Sequence, residues 1–230
     1  MKTIGLIGGM SWKSTISYYK ILNDVIVEKL GGFHSAKCIL YSVDFHEIEE
    51  CQSRGEWEKS GELLAEAALS LEKAGADFIV ICTNTMHKVV DVIQRKITIP
   101  ILHIAEATAS ELVEHRIRKV ALLGTKYTMQ QDFYKSKLIE AGIEVIIPED
   151  NDIELINSTI YNELCLGIIS KKSKEEFIRI IHSLADRRAE GIILGCTEIG
   201  LLVEQKDTFV PLFDTTLIHA TKAALLSIEG

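Results

Sequence analysis

Nowhere in these 230 residues is there an apolar stretch approaching the ~20 that a membrane-spanning helix requires. The longest apolar runs, such as Phe78–Cys82 and Gly191–Leu194, have only the length of a buried strand. Basic charge is scarce as well. Lys and Arg number 25 against 33 Asp and Glu, the net charge is −8, and no basic stripe stands out. Nucleic acid and anionic membrane surfaces are therefore not expected partners. The five cysteines, Cys38, Cys51, Cys82, Cys165 and Cys196, are odd in number and form no CxxC. That pattern argues for reduced thiols and a cytoplasmic location, not a disulfide framework. No zinc spacing occurs, so no metal is expected: His46 and Cys51 lie five apart and His87 follows Met86 by itself. Lone histidines of this kind read as surface or satisfied core groups. The GxSxG elbow of a serine hydrolase and the GxGxxG of a dinucleotide site are both absent. Met1 to Gly5 reads as the start of a strand and not as a signal peptide.

What remains is ordinary globular material, 47% hydrophobic and 25% charged. It is enough for one large domain or two of roughly 100 residues each. Strand and helix patterns alternate along it. Ile4–Ile7 is an apolar run ending at Gly8-Gly9. Ser14 to Leu30 has helical spacing and stops at Gly31-Gly32. A β-rich segment at Ala36–Val43 follows, then an amphipathic helix from Glu56 to Ala74, a strand at Phe78–Cys82, a helix over Asn84–Arg95 and a strand at Ile99–Ile104. The acidic residues Glu47, Glu49 and Glu50 read as a solvated helix face. The second half holds strands at Lys119–Leu123, Ile143–Ile147, Ile192–Leu194 and Phe209–Phe213. Its helices are expected over Asp132–Ala141, Asp152–Leu166, Lys174–Arg187, a short Gly200–Val203 and a closing Thr215–Ile228. Such alternation implies parallel sheets covered by helices, with reactive groups at the carboxyl ends of strands.

The two halves repeat each other. Ala76 to Thr83 lies over Ala189 to Cys196 at a constant shift, and Ile99-Pro100-Ile101-Leu102-His103 lies over Val210-Pro211-Leu212-Phe213-Asp214 at nearly the same one. The repeat pairs Thr83 with Cys196. Two pseudo-symmetric domains, taken as 1–114 plus 213–230 and as 115–212, would set these side chains on opposite walls of one cleft. Cys196, at a strand end before a short helix, is expected to feel the helix dipole and to have its pKa drawn down from about 8.5 toward neutrality. Thr197 and Glu198 would cap that helix or orient the thiol. Thr83-Asn84-Thr85 suits an N-cap, and equally a carboxylate site made of backbone amides and hydroxyls. Cys82 points to the opposite face from Thr83 by strand alternation and reads as core. Gly5-x-x-Gly8-Gly9-Met10-Ser11 reads as a tight turn, with or without an anion at its amides.

Three segments, Gly8-Gly9-Met10-Ser11-Trp12, Thr83-Asn84-Thr85-Met86-His87 and Gly195-Cys196-Thr197-Glu198-Ile199, together resemble the aspartate/glutamate racemase family in order and spacing across the whole chain. The resemblance implies an α/β fold of two flavodoxin-like domains, each a parallel sheet of about four strands flanked by helices, with the active site in the interdomain cleft. It implies racemisation of an amino acid without pyridoxal phosphate or metal, by two cysteines acting on opposite faces of Cα. Asn84, Thr85 and Thr197 would bind the substrate's α-amino-acid head, with Glu198 beside it, and the backbone near Met10 and Ser11 would close the pocket. A homodimer is implied too. The first motif departs from the family's Cys-Asn-Thr, since Thr83 fills the cysteine slot; this resembles a Thr/Cys subgroup acting on aspartate, glutamate or a broader set. Ile160 to Gly167 resembles a segment that often supplies a lysine for the substrate's side-chain carboxylate, and Cys165 stands in that slot. Gln52 and Arg54 are the candidates to take over side-chain contact. Two rival readings remain open. One is a single-thiol decarboxylase or cis–trans isomerase of the same superfamily. The other is an amino-acid-binding protein without turnover.

Overall fold

The computed structural model describes residues 1–229, which divide into two compact units. One comprises Met1–Ile104 and the chain from His219 onward; the other is Ala105–Ile218.

The first unit opens with β1 (Ile4–Gly8), α1 (Trp12–Leu30), β2 (Cys38–Ser42), α2 (Phe45–Arg54) and α3 (Trp57–Lys73). It continues with β3 (Phe78–Ile81), a 3-10 turn over Thr85–Val89, α4 (Val90–Gln94) and β4 (Ile101–Leu102). Its strands are all parallel, in the order β2-β1-β3-β4. Strand alternation divides the core into two layers. Ile7, Ile79 and Ile81 pack with Leu64, Ala68 and Leu71 of α3 on one face of the sheet. Ile4, Leu6, Phe78, Val80 and Cys82 pack with Tyr18, Leu22 and Ile26 of α1 and with Ala220, Ala223 and Ala224 on the other. Both faces are covered, which is why these strands read as unbroken apolar runs.

The second unit begins with α5 (Ile104–Glu114), β5 (Lys119–Gly124), α6 (Lys126–Gln130), α7 (Asp132–Glu140) and β6 (Glu144–Ile146). Then come α8 (Asp150–Asn162), a 3-10 turn over Leu164–Leu166, α9 (Lys171–Asp186), β7 (Gly191–Gly195), α10 (Ile199–Leu202) and β8 (Leu212–Asp214). The strand order is β6-β5-β7-β8, again all parallel, so the topology of the first sheet recurs. α11 (Thr215–Ile228) closes the chain and passes from the second unit to the first between Ile218 and His219.

Several elements differ from the sequence expectation. The expected helix over Asn84–Arg95 is a 3-10 turn followed by α4. The expected strands Ile99–Ile104 and Phe209–Phe213 shorten to β4 and β8. In both, the preceding proline cannot donate to a ladder, and its carbonyl accepts instead: Pro100 from Ile79 N–H at 2.9 Å and Pro211 from Ile192 N–H at 2.8 Å. Ile104 leaves the strand to start α5. That helix belongs with the second unit, where Tyr134 Oη donates to Thr108 Oγ1 at 3.1 Å and Lys137 pairs with Glu106 at 2.8 Å. The two compact units divide after Ile104 and after Ile218, and His219 bonds Tyr18 and Leu102 of the first unit.

Candidate active site

In the first unit the candidate residues cluster at the carboxyl ends of β1 and β3. Cys82 N–H donates to Ile7 O at 2.9 Å, so the turns that follow the two strands are neighbours. After β1, Gly9 has φ +97°, and a Cβ there would lie 2.2 Å from the Val43 carbonyl oxygen. Only glycine fits. The Gly9 N–H is held by Thr15 Oγ1 at 2.9 Å, and Ser11 O accepts from Ser14 Oγ and Thr15 Oγ1 at 2.9 and 3.0 Å. The turn is thus fastened to the first turn of α1, and Ser11 caps that helix by position.

After β3, Thr83 N–H turns back to Ile81 O at 2.8 Å, and His87 Nδ1 lies 2.8 Å from Thr83 O. Thr83 is half-buried; Asn84 and Thr85 are buried at the start of the 3-10 turn. Met10 and Met86 share the core layer beneath this end of the sheet. Gln52, buried on α2, donates from Nε2 to Met86 Sδ at 3.0 Å and so lies among them. Arg54 does not. It sits on the outer face of α2, paired with Glu50 at 3.1 Å. Cys82 is fully buried, its thiol pushed far up by desolvation. It is core, as strand alternation predicts.

In the second unit Cys196 follows β7 and is 8% exposed. Its side chain packs in the layer of Ile192, Leu194 and Ile199. Glu198 faces it. The thiol donates to Glu198 Oε2 at 3.1 Å, and Thr197 Oγ1 donates to the same oxygen at 2.8 Å. Glu198 occupies the N-cap of α10 without making a side-chain cap bond; its carboxylate turns to the thiol and the Thr197 hydroxyl instead. Cys165, in the 3-10 turn over Leu164–Leu166, packs against the same layer. This arrangement overturns the expectation of an acidified thiol. Burial first, then the charge of Glu198 and the neighbouring Cys165, push the Cys196 thiol well above its ordinary value. The helix behind it is a single turn of four residues. So short a helix supplies little dipole to oppose a carboxylate at hydrogen-bond distance.

Three groups escaped the sequence reading. Asp214, at the end of β8, caps α11 by accepting from Thr216 and Leu217 N–H at 2.8 and 3.3 Å, and burial raises its carboxyl. His103 occupies the matching place after β4, and the repeat aligns the two, which was the available signal. His87 has two further histidines beside it, with ring centroids 4.7 Å away for His103 and 5.7 Å for His219. Spacing along the chain carries no trace of that meeting. No cluster of metal-ligating side chains occurs among the described residues, and no helix there is long and apolar enough to cross a membrane.

The sequence profile of the Asp/Glu/Hydantoin racemase family matches residues 7–223. A chain from Yersinia pestis, solved as a candidate Asp/Glu racemase, is 55% identical with a TM-score of 0.93, over 100% of both chains. An aspartate racemase homologue from Pyrococcus horikoshii OT3 is 40% identical with a TM-score of 0.86, again over 100% of both. A broad specificity amino-acid racemase of Bacillus subtilis is 25% identical over 99% of this chain and 100% of its own.

Proposed function

We infer the reaction from one premise: this chain belongs to the Asp/Glu/Hydantoin racemase family. It is an amino-acid racemase, an isomerase that removes the Cα proton from one face of an amino acid and returns a proton to the other. The proposed chemistry calls on no pyridoxal phosphate and no metal. Cys196 and Thr83 are its two proton-handling groups. They follow β7 and β3, the equivalent third strands of two sheets with one topology. The reading is that the two strand ends face one bound substrate.

The observation that carries it is the bond between the Cys196 thiol and Glu198. A buried thiol raised in pKa is a poor base by itself. With a carboxylate 3.1 Å away it has an acceptor for its proton. In the thiol-side direction the S–H proton passes to Glu198, and sulfur then takes the Cα proton. The Thr83 hydroxyl donates to the opposite face and is reprotonated by solvent, while Glu198 gives up to solvent the proton it took from the thiol, so the cycle closes with every group in its starting state. Backbone amides around Asn84, Thr85 and Thr197 stabilise the charge that develops on the substrate carboxylate. A hydroxyl is a weaker base than a thiol, so the two directions differ in rate while the equilibrium between enantiomers is untouched.

The substrate is aspartate, glutamate or a broader set. Cys165 in place of a cationic side chain favours the broader range, with buried Gln52 and the Met10–Ser11 turn shaping the side-chain end. The reading extends to a cytoplasmic homodimer. An exposed apolar row on α1 (Trp12, Ile16 and Tyr19) is the surface at which a second copy would be sought. One observation favours a second reading. Only one of the two paired positions is a thiol, as in single-thiol decarboxylation or cis–trans isomerisation, and malonate-type and maleate-type substrates separate these from racemisation.

The test is a screen of common L-amino acids for α-proton exchange in heavy water without added cofactor. Exchange with at least one, lost in Cys196→Ala, is expected. Full activity in that variant would end the thiol assignment.

A further inference from the structure

The buried histidines His87, His103 and His219 have no part in the chemistry above, yet His87 is tied to the backbone of Thr83. Ile104 N–H donates to His87 Nε2 at 3.1 Å, which makes Nε2 the bare nitrogen. The ring proton is therefore on Nδ1, and it is donated to the Thr83 carbonyl at 2.8 Å. His219 is fixed in the opposite tautomer. Its Nε2 faces the Leu102 carbonyl at 2.9 Å, which can only accept, and its Nδ1 accepts from the Tyr18 hydroxyl at 2.8 Å. The His87 ring is packed against both other imidazoles. Desolvation, reinforced by these neighbours, holds it well below the usual histidine range, so it stays neutral and keeps both bonds.

We propose that His87 is a positioning residue for Thr83, fixing the Thr83 carbonyl to the first amide of α5 and so setting where the Thr83 hydroxyl stands over the substrate. Both backbone polar groups of Thr83 are then committed, its N–H to Ile81 and its C=O to His87. The hydroxyl is one rotatable bond from a Cα that cannot drift. This rests on the reading of Thr83 as the second proton-handling group. It adds a specific consequence: loosening His87 impairs one face of the reaction and spares the other.

The experiment follows deuterium wash-in from each enantiomer separately, in the full chain. Cys196→Ala first identifies the thiol-side enantiomer as the one whose exchange it abolishes. His87→Asn keeps a donor amide at the Nδ1 position, gives up only the Ile104 end of the anchor, and should stay within about threefold of the wild-type ratio of the two rates. His87→Gln carries its amide at the Nε2 position instead and should slow Thr83-side exchange about tenfold while leaving thiol-side exchange within about threefold, because sub-ångström misplacement is costly only to the group misplaced. Equal losses on both faces, or one ratio shared by the Asn and Gln variants, overturn the proposal. A nitrogen-15 spectrum of the wild-type chain tests the anchor independently of any variant's folding. A protonated Nδ1 and bare Nε2 at His87 is expected, and the opposite tautomer overturns it. Exchange from neither enantiomer in the wild type would instead sink the racemase reading beneath it, while the spectrum still decides the anchor.

Discussion

Glu198 Oε2 receives two hydrogen bonds from its own loop, one from the Cys196 thiol at 3.1 Å and one from the Thr197 hydroxyl at 2.8 Å. The carboxylate thereby does two opposed things. It raises the thiol's pKa by its charge, and in the proposed reaction it is the acceptor for the thiol's proton.

Replacing Glu198 with Gln separates these effects. The thiolate absorbance of Cys196 should titrate at lower pH, because the opposing charge is gone, while α-proton exchange falls by about 100-fold with loss of the proton acceptor. An ultraviolet pH titration beside the exchange assay reads both. A titration midpoint that rises, or exchange that survives, counts against the arrangement.

Thr83→Cys installs a second thiol at the position that the internal repeat pairs with Cys196. Exchange from the Thr83-side enantiomer should rise by about tenfold or more, since a thiol is the better proton carrier near neutrality. Thr83→Ala should lower the same rate and spare the thiol side. Wash-in from each enantiomer alone distinguishes these outcomes, and a large fall on both sides in Thr83→Cys would contradict the pairing.

Stability should depend on pH through the histidines. Burial depresses His219 to about 4, with the Leu102 carbonyl pulling the other way, and His87 is depressed too. Each binds a proton more readily unfolded than folded. The stability His219 contributes is complete above the unfolded value of about 6.5 and is lost as pH falls from there toward 4, which amounts to about 3 kcal/mol; His87 acts in the same direction. Urea unfolding at steps between those limits should show the decline, and His219→Gln should flatten it. A stability flat across that window would refute the buried neutral cluster.

Gly9→Ala should destabilise the first unit by about 2 to 4 kcal/mol, combining a left-handed φ with backbone overlap at Val43. The urea midpoint measures it. A change under half the lower figure would mean that the turn can relax.

Much of this molecule was legible before any coordinates. The strand runs around Phe78 and Ile192 are buried on both faces, so composition alone marked them, and the internal repeat matched β3 to β7 and Thr83 to Cys196. Alternation assigned Cys82 to the core. What stayed hidden depends on contacts between distant residues. Helix α5 was missed because Ile104 reads equally well as the end of a strand. Gln52 and Arg54 are both side-chain candidates by sequence, yet two further residues of α2 carry Arg54 to the outer face. The direction of the thiol's pKa is not legible in sequence, because the short helix after Cys196 is visible there while the turn of the Glu198 carboxylate back to the sulfur is not. His219 comes to His87 from the far end of the chain, a meeting that no local pattern announces.

The two crossings of the chain, after Ile104 and after Ile218, bear on how the protein folds. The second unit is one continuous stretch and draws its core from that stretch alone. The first does not. Its Tyr18 and Leu22 layer waits for Ala220, Ala223 and Ala224, and Lys2 N–H waits for the Ser227 carbonyl at 2.7 Å. The core layer of the first unit is therefore completed only by α11, so its folding is coupled to the far end of the described chain.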